Sequence, residues 1–210
     1  MNLISLNVGR PQEKTWNNKT ILTSIFKNPV ADRRRVSFTN IEGDEQADLR
    51  VHGGIEKAVY AYDVLHYHHW KNILPRDDWE WGMFGENLTT SGLLDSEARI
   101  GSIYQIGTTK LQVIQPRFPC FKINIRFALP DMIEKFMQQK RNGIYFKVIE
   151  EGHVQVEDEI ILTELSPYPV TVQQYVESYY SKGSDKEILD TILSIPYLPQ
   201  RQRSAFETFL

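Results

Sequence analysis

IGSIYQIGTTKLQVI, residues 100–114, contains two apolar runs, Ile100–Ile106 and Leu111–Ile114, on either side of Gly107. Short apolar runs around a glycine are typical of β-strands joined by a turn. Most of the first 165 residues repeat this pattern, with further runs at Ile4–Val8, Thr20–Phe26, Ala58–Tyr62, Ile144–Ile149 and Glu159–Thr163. Many short strands with glycine turns indicate an antiparallel or mixed barrel rather than a doubly wound sheet. We therefore predict a mostly β, α+β fold.

Two helices are predicted among these strands, at Asp63–Leu74 and at Asp131–Lys140. The second has a basic C-terminal end, and Gly143 just beyond it is a candidate stop signal because glycine readily adopts the conformation that ends a helix. These helices are expected to lie around the barrel.

The pattern changes after residue 165. Ser166-Pro167-Tyr168-Pro169 resembles a short linker, and Thr171 with Gln174 forms a capping box that begins a helix. The run Ser184–Glu187 repeats this device, and Pro199 suits the first turn of a third helix. We predict a domain over residues 1–165 and a small three-helix unit over residues 166–210. Because so short a unit buries little surface alone, it should pack on the barrel or on a partner chain, which leaves a homodimer open.

Composition narrows the function classes. The chain has 210 residues and a net charge of −3, so no overall basic field favours nucleic acid or a membrane surface. No apolar stretch approaches the roughly 20 residues that cross a bilayer, and the N-terminus lacks the features of a signal peptide. A single cysteine excludes an internal disulfide and argues against secretion. The predicted location is the cytoplasm.

That cysteine, Cys120, has an unusual setting. Pro116 and Pro119 hold the approach in an extended shape, and the cations Arg117 and Lys122 flank it. If the segment from Phe121 onward is helical, Cys120 also lies at a helix N-terminus. Both conditions favour a thiolate, which can act as a nucleophile or bind a soft metal. The alternative is a small buried apolar residue.

A second candidate site is the polar, glycine-rich segment from residue 43 to residue 59, which precedes an apolar strand. The backbone N–H groups of Gly53 and Gly54 and the ammonium of Lys57 could hold an anion such as a phosphate. The alternative is a long polar surface turn. A third segment, Phe84-Gly85-Glu86-Asn87-Leu88, places a carboxylate and an amide after a glycine turn and is weak evidence alone.

Two other clusters of residues are weaker candidates for a functional site. His66, His68 and His69 offer too few ligands at a familiar zinc spacing, so a surface helix is the simpler interpretation. The run Arg33-Arg34-Arg35 is expected to be solvated surface, with anion binding as its alternative.

Taken together, three segments resemble the MOSC family, the domain named for the C-terminal part of molybdenum cofactor sulfurase. They are Gly43–Asp48 with Val51–Gly54 and Lys57–Val59, Phe84–Leu88, and Gln115–Cys120, and Thr23–Lys27 and Gly143–Tyr145 also fit. The resemblance covers essentially the whole chain, including the trailing helical unit, and is closest to the stand-alone bacterial type. It implies a closed, barrel-like β domain with peripheral helices.

The resemblance also implies a cofactor and its site. The cleft would bind the molybdenum cofactor (molybdopterin), with the Cys120 sulfur as the protein ligand of the metal. An anionic pterin cofactor needs cations and N–H donors, and the residues that fit this role or pterin hydrogen bonding are Gly53, Gly54, Lys57, Glu86, Asn87, Arg117, Lys122 and Tyr145. The residues assigned to catalysis are Cys120, Asp48 and His52. Of these, Asp48 and His52 are candidates for proton delivery.

Two functions follow from the resemblance. The first is an oxidoreductase that reduces small N-hydroxylated compounds, such as N-hydroxylated purine bases, for detoxification. For this function the electrons are expected from a separate electron-transfer protein, because one cysteine cannot supply the ligands of an iron–sulfur cluster and no flavin or nicotinamide motif is present. The second is a non-catalytic carrier that holds the cofactor, or a persulfide on Cys120, for delivery to another enzyme.

Overall fold

A computed structural model describes residues 1–48 and 53–210 of the chain. It contains strands and helices in the following order: β1 Asn2–Val8, β2 Gln12–Trp16, β3 Lys19–Thr23, β4 Asn28–Val30, β5 Arg34–Val36, a 3₁₀ helix Ile55–Lys57, β6 Val59–Asp63, α1 Val64–Ile73, β7 Leu88–Ser91, β8 Ile103–Ile106, β9 Thr109–Pro116, α2 Lys122–Phe127, α3 Met132–Gln139, β10 Ile144–Glu150, β11 Gly152–Val154, β12 Ile160–Glu164, α4 Val172–Tyr180, α5 Lys186–Ser194 and α6 Gln200–Glu207. The predicted α+β class is confirmed.

The main sheet has eight strands in the order β12-β8-β9-β10-β6-β7-β1-β4. All neighbours are antiparallel except β6 and β7, which run parallel. The hairpin β2-β3 and the pair β5-β11 form two small separate sheets. The hairpin of β8 and β9, joined at Gly107, is the one that residues 100–114 predicted. Its first strand is shorter than predicted, because Gly101 has a positive φ of 95° and lies in a turn before Ile103.

The sheet curves back on itself without closing as a regular barrel. An isolated bridge joins Asn2 to Glu159, and the Leu3 N–H donates to the Asp158 carbonyl at 2.9 Å. The start of β1 therefore contacts the residues that precede β12. A barrel closed by continuous strand pairing is not found in the part of the chain that the structure describes, which corrects the closed form of the prediction.

The helix ends differ from the predictions in two places. Helix α3 ends at Gln139, and Lys140 adopts the left-handed conformation that terminates it, with φ of 52°. Gly143 instead lies just before β10, at a close approach to β6, since an added Cβ would lie 2.6 Å from the Ala61 carbonyl oxygen. The N-cap of α5 is Asp185 rather than Ser184, because its carboxylate accepts the Ile188 N–H at 3.1 Å.

The C-terminal helices pack on the sheet. Val172, Tyr175, Leu189, Ile192 and Phe206 are fully buried, and they belong to the same apolar cluster as the strand residues. Burying an apolar side chain of this size contributes about 1.5–3 kcal/mol, so this contact compensates for the small size of the unit. The division at residues 165 and 166 stays a prediction.

A second apolar cluster lies on the other side of β6 and is mostly aromatic. Its fully buried members include Tyr67, Trp70, Phe84 and Phe136. The rings of Trp70 and Phe136 stack with centroids 5.9 Å apart. This cluster fixes helices α1 and α3 against the sheet. No helix among the described residues has the length and apolar character to span a membrane.

The capping box at Thr171 is confirmed and yields a stability prediction. The Thr171 hydroxyl accepts the Gln174 N–H at 3.1 Å, and the Gln174 side chain accepts the Thr171 N–H at 2.9 Å. We expect Thr171→Ala to lower the free energy of unfolding by about 1 kcal/mol, because the helix N-terminus loses an acceptor. Urea denaturation measures this, with Thr171→Ser as a control that keeps the hydroxyl. Equal stability of all three proteins would contradict the prediction.

Candidate functional site

Cys120 lies between the end of β9 and the start of α2. Strand β9 ends at Pro116, and α2 begins at Lys122 with Phe121 as its N-cap. The Ile123 N–H donates to the Cys120 carbonyl at 3.0 Å, so the predicted helical turn after Phe121 is confirmed. Cys120 is partly exposed rather than buried. The alternative of a buried apolar cysteine therefore does not describe it.

Two cavities meet at Cys120. The first is lined from the sheet side, by residues that include Ser24, Lys27 and Arg117. The second lies toward the C-terminal helices. Both cavities share four lining residues, Lys57, Phe118, Cys120 and Tyr145. The first has about 90 Å³ of free volume and the second about 490 Å³. Cys120 is thus accessible from a narrow space and from a wide one.

Arg117 brings a buried positive charge to the first cavity. Its residue surface is 6% exposed, and its guanidinium lies 5.2 Å from the Tyr60 ring centroid and 5.3 Å from that of Phe136. Burial acts to lower the pKa of Arg117, but the neighbouring Tyr60, Tyr145 and Cys120 raise it above its usual value. Its Nη1 is buried and has no hydrogen-bond partner among the described residues. A charged donor is therefore available to a ligand in the cavity.

Ser24 adds a second donor of the same kind. Its Oγ is buried and, like Arg117 Nη1, has no hydrogen-bond partner in the described part of the chain. Both residues line the first cavity. Because buried polar groups normally have a partner, two such groups in one cavity indicate a ligand that accepts hydrogen bonds.

Lys27 and Asp44 form a buried ion pair in the same wall. The Lys27 ammonium donates to the Asp44 carboxylate, which also accepts the Gly9 N–H at 2.8 Å and the Asn87 amide at 3.0 Å. Burial lowers the pKa of Lys27, whereas the charge of Asp44 opposes that change. Neither residue is among those that the sequence patterns predicted for the site. The signal was present, since both belong to the segments that carry the family resemblance.

Asn87 and Glu86 have different surroundings. Asn87 lines the first cavity, and its side-chain oxygen accepts the Tyr60 N–H at 3.1 Å. Glu86 is fully buried and holds a turn, because its carboxylate accepts the Tyr67 hydroxyl, the Gly82 N–H at 2.8 Å and the Phe84 N–H at 3.1 Å. Burial raises the pKa of Glu86 despite these donors. The contacts of Glu86 are those of a structural residue.

The glycine-rich segment reaches Cys120 through Lys57, the last residue of the 3₁₀ helix. Burial lowers the pKa of Lys57, and the charge of Arg201 adds to this effect. Gly53 lines the second cavity, and Gly54 caps the 3₁₀ helix with φ of 91°, where an added Cβ would meet open space. Asp48 is partly exposed and follows residues that line the first cavity. His52 lies outside the described residues.

Tyr145 and Lys122 complete the sequence-predicted set. Tyr145 lies in both cavities, and its ring centroid is 5.2 Å from that of Tyr60. Burial raises the pKa of Tyr145, so its phenol stays protonated and can donate a hydrogen bond. Lys122 lines the first cavity from the start of α2. The structure thus brings Cys120 together with Lys57, Asn87, Arg117, Lys122 and Tyr145, while Gly53 borders the second cavity.

The histidines and arginines of the minor clusters lie elsewhere. His66 is buried with its Nε2 3.2 Å from the Asp95 carboxylate, and His69 contacts Gln139 at 2.7 Å. Within residues 1–48 and 53–210, no three His, Cys, Asp or Glu side chains form a metal-binding group. Arg35 pairs with Glu151 at the surface.

Comparison with known proteins gives a consistent result. The MOSC domain family matches residues 48–161. The chain is 35% identical to YflK, an uncharacterised protein of Bacillus subtilis, over 97% of this chain and 92% of that protein. A Gibberella moniliformis protein named reductase is also 35% identical, over 80% of this chain but 30% of its own length.

A crystal structure extends the similarity to the fold. YiiM from Geobacillus stearothermophilus superposes with a TM-score of 0.83 at 31% identity, covering 100% of this chain and 98% of that one. The similarity therefore includes the C-terminal helices as well as the sheet. With a family match over more than half of its residues and relatives along its whole length, the chain belongs to the MOSC domain family.

Proposed function

We propose that the protein is a molybdenum-cofactor-dependent oxidoreductase that reduces N-hydroxylated compounds, such as N-hydroxylated purine bases, in the cytoplasm. The observation that carries the proposal is a pair of buried donors, Arg117 Nη1 and Ser24 Oγ, in a cavity that Cys120 also lines. Neither donor has a hydrogen-bond partner in the part of the chain that the structure describes. Membership of the MOSC family and similarity to a protein named reductase support the same class of activity.

The residues of the first cavity fit an anionic cofactor. Arg117 and Lys57 are cationic and Ser24 is a neutral donor, so together they suit the phosphate of a pterin cofactor. The first cavity is smaller than the roughly 300–1,000 Å³ of usual small-molecule sites, so the rest of the cofactor would occupy the adjoining space. Cys120 would bind the metal through its sulfur, a soft donor. When bound, the cofactor supplies a metal centre that accepts oxygen and exchanges two electrons.

The chain's own residues would bind and supply protons. Removing the hydroxyl oxygen of an N-hydroxylated amine as water consumes two electrons and two protons and leaves the amine. Tyr145 offers a protonated phenol beside Cys120, and Lys57 offers an ammonium in the lining of the same cavities. Asp48 and His52 remain our candidates for proton delivery from solvent.

Electrons are proposed to come from a separate protein. Cys120 is the only cysteine in the sequence, and an iron–sulfur cluster generally needs four protein ligands. Turnover by the purified chain with a pyridine nucleotide alone would contradict an external donor.

Cys120→Ala tests the role of the sulfur. We expect the wild type, expressed in a host that makes molybdopterin, to contain molybdenum and to reduce an N-hydroxylated base with a chemical donor. Cys120→Ala should lose the activity and most of the metal, because the metal loses its protein ligand. Metal analysis and product chromatography measure both. A host without molybdopterin synthesis is the control, and Cys120→Ser tests whether oxygen replaces sulfur.

The same experiment separates an enzyme from a carrier. Molybdenum that depends on Cys120, with no reduction by any donor, would overturn the enzymatic proposal in favour of a cofactor or sulfur carrier. Molybdenum and activity that persist in Cys120→Ala would contradict the role of the sulfur in both functions.

Arg117→Gln tests the cationic cavity. A hydrogen bond to a charged group contributes about 1.5–3 kcal/mol, so affinity for the cofactor should fall about ten- to a hundredfold. Cofactor content per protein, measured at limiting molybdopterin, should fall accordingly while the thermal unfolding curve remains cooperative.

Arg76→Gln is the matched control for that variant. Arg76 also stacks on aromatic rings, 5.1 Å from the Phe127 centroid, but it pairs with Asp78 outside the cavity. Its substitution should leave cofactor content unchanged. Equal losses in both variants would show a general effect on folding and would refute the assignment of Arg117.

A further inference from the structure

The C-terminal helices form one wall of the second cavity. Tyr179 of α4 and Arg201, Gln202 and Ala205 of α6 line it, opposite residues of the sheet domain. The free volume of about 490 Å³ lies within the usual range of small-molecule sites, about 300–1,000 Å³. Because Cys120 lines this cavity too, a substrate can approach the sulfur from the side of the helices.

Aromatic rings give this cavity a preference for flat ligands. Phe118 and Tyr179 have ring centroids 4.5 Å apart, and Tyr145 lies in the same lining. Such rings bury large apolar areas and stack on planar ligands. The geometry therefore suits a heteroaromatic ring better than an extended aliphatic chain.

Positive charge on both walls gives it a preference for anions. Arg201 is exposed and forms no ion pair within the described residues. It lies close enough to Lys57 for its charge to help lower the pKa of that residue. Glu56 also lines the cavity and partly offsets these charges. An anionic group between Arg201 and Lys57 would relieve the repulsion between them.

We propose that this wall recognises an anionic group attached to an aromatic ring, and that Arg201 is the residue that determines this specificity. The substrate class is then an N-hydroxylated nucleobase carried as its nucleoside monophosphate, in preference to the neutral base or nucleoside. The inference rests on the proposed function for the reacting group, but the binding preference does not depend on turnover.

The test measures binding of unreactive analogues to the molybdenum-loaded protein. Isothermal titration calorimetry gives the dissociation constants of adenosine 5′-monophosphate and of adenosine. For the wild type we expect the monophosphate to bind about tenfold more tightly, as one charge-assisted contact provides. In Arg201→Gln this ratio should fall to about twofold or less, with adenosine affinity unchanged, and Arg201→Lys should retain part of it.

Arg33→Gln is the control, because Arg33 is an exposed arginine outside both cavities and should behave as the wild type. Equal affinity of the wild type for both analogues, or no binding of either, would overturn the inference. So would an unchanged ratio in Arg201→Gln, or a loss of molybdenum in that variant, which would assign Arg201 to the cofactor. Absence of reductase activity with this binding pattern intact would reject the proposed function alone.

Discussion

A buried positive charge, with no carboxylate partner among residues 1–48 and 53–210, constrains the centre of this protein. The Arg117 guanidinium lies against the rings of Tyr60 and Phe136, which come from β6 and α3. Cation–π contacts of this kind contribute about 0.5–2 kcal/mol each, less than the cost of burying an unpaired charge. The Nη1 atom of Arg117, which has no hydrogen-bond partner among the described residues, is therefore a donor that a bound ligand could satisfy. Strand β9, strand β6 and helix α3 must all be in place before that charge can be accommodated.

Lys27 shows the contrasting arrangement within the same cavity. Its ammonium is neutralised by Asp44, and Asp44 is held in turn by Gly9 and Asn87. These residues lie next to the ends of β1, β4 and β7, so one carboxylate joins three segments that are distant in sequence. Such a fully bonded network gives rigidity, whereas Arg117 keeps a donor for a ligand. Similar buried cations can therefore have different roles, which their contacts distinguish.

Local patterns predicted much of the fold and part of the site. Period-two apolar runs and glycine turns located most strands, and the proline-rich approach with its cations selected Cys120, because both signals lie within a few residues. The burial of Glu86, the Lys27–Asp44 pair and the contact of β1 with the residues before β12 depend on distant segments. The spacing of residues along the sequence does not reveal contacts between such distant segments. A carboxylate in a polar motif can therefore face a ligand or hold a turn.

The position of Cys120 depends on the C-terminal helices as well as on the sheet. Phe118, two residues before it, has its ring centroid 4.5 Å from that of Tyr179 and 6.1 Å from that of Tyr180. Both tyrosines belong to α4 or its end, and the Thr171 capping box fixes where that helix begins. Residues 117–120 form no regular strand or helix. The aromatic contacts therefore add to two backbone hydrogen bonds that hold this segment, from the Arg117 N–H to the Gly143 carbonyl at 3.3 Å and from the Ile123 N–H to the Cys120 carbonyl at 3.0 Å. A narrow cationic cavity on one side of the sulfur and a wide aromatic one on the other follow from this packing, so the helical unit is part of the site.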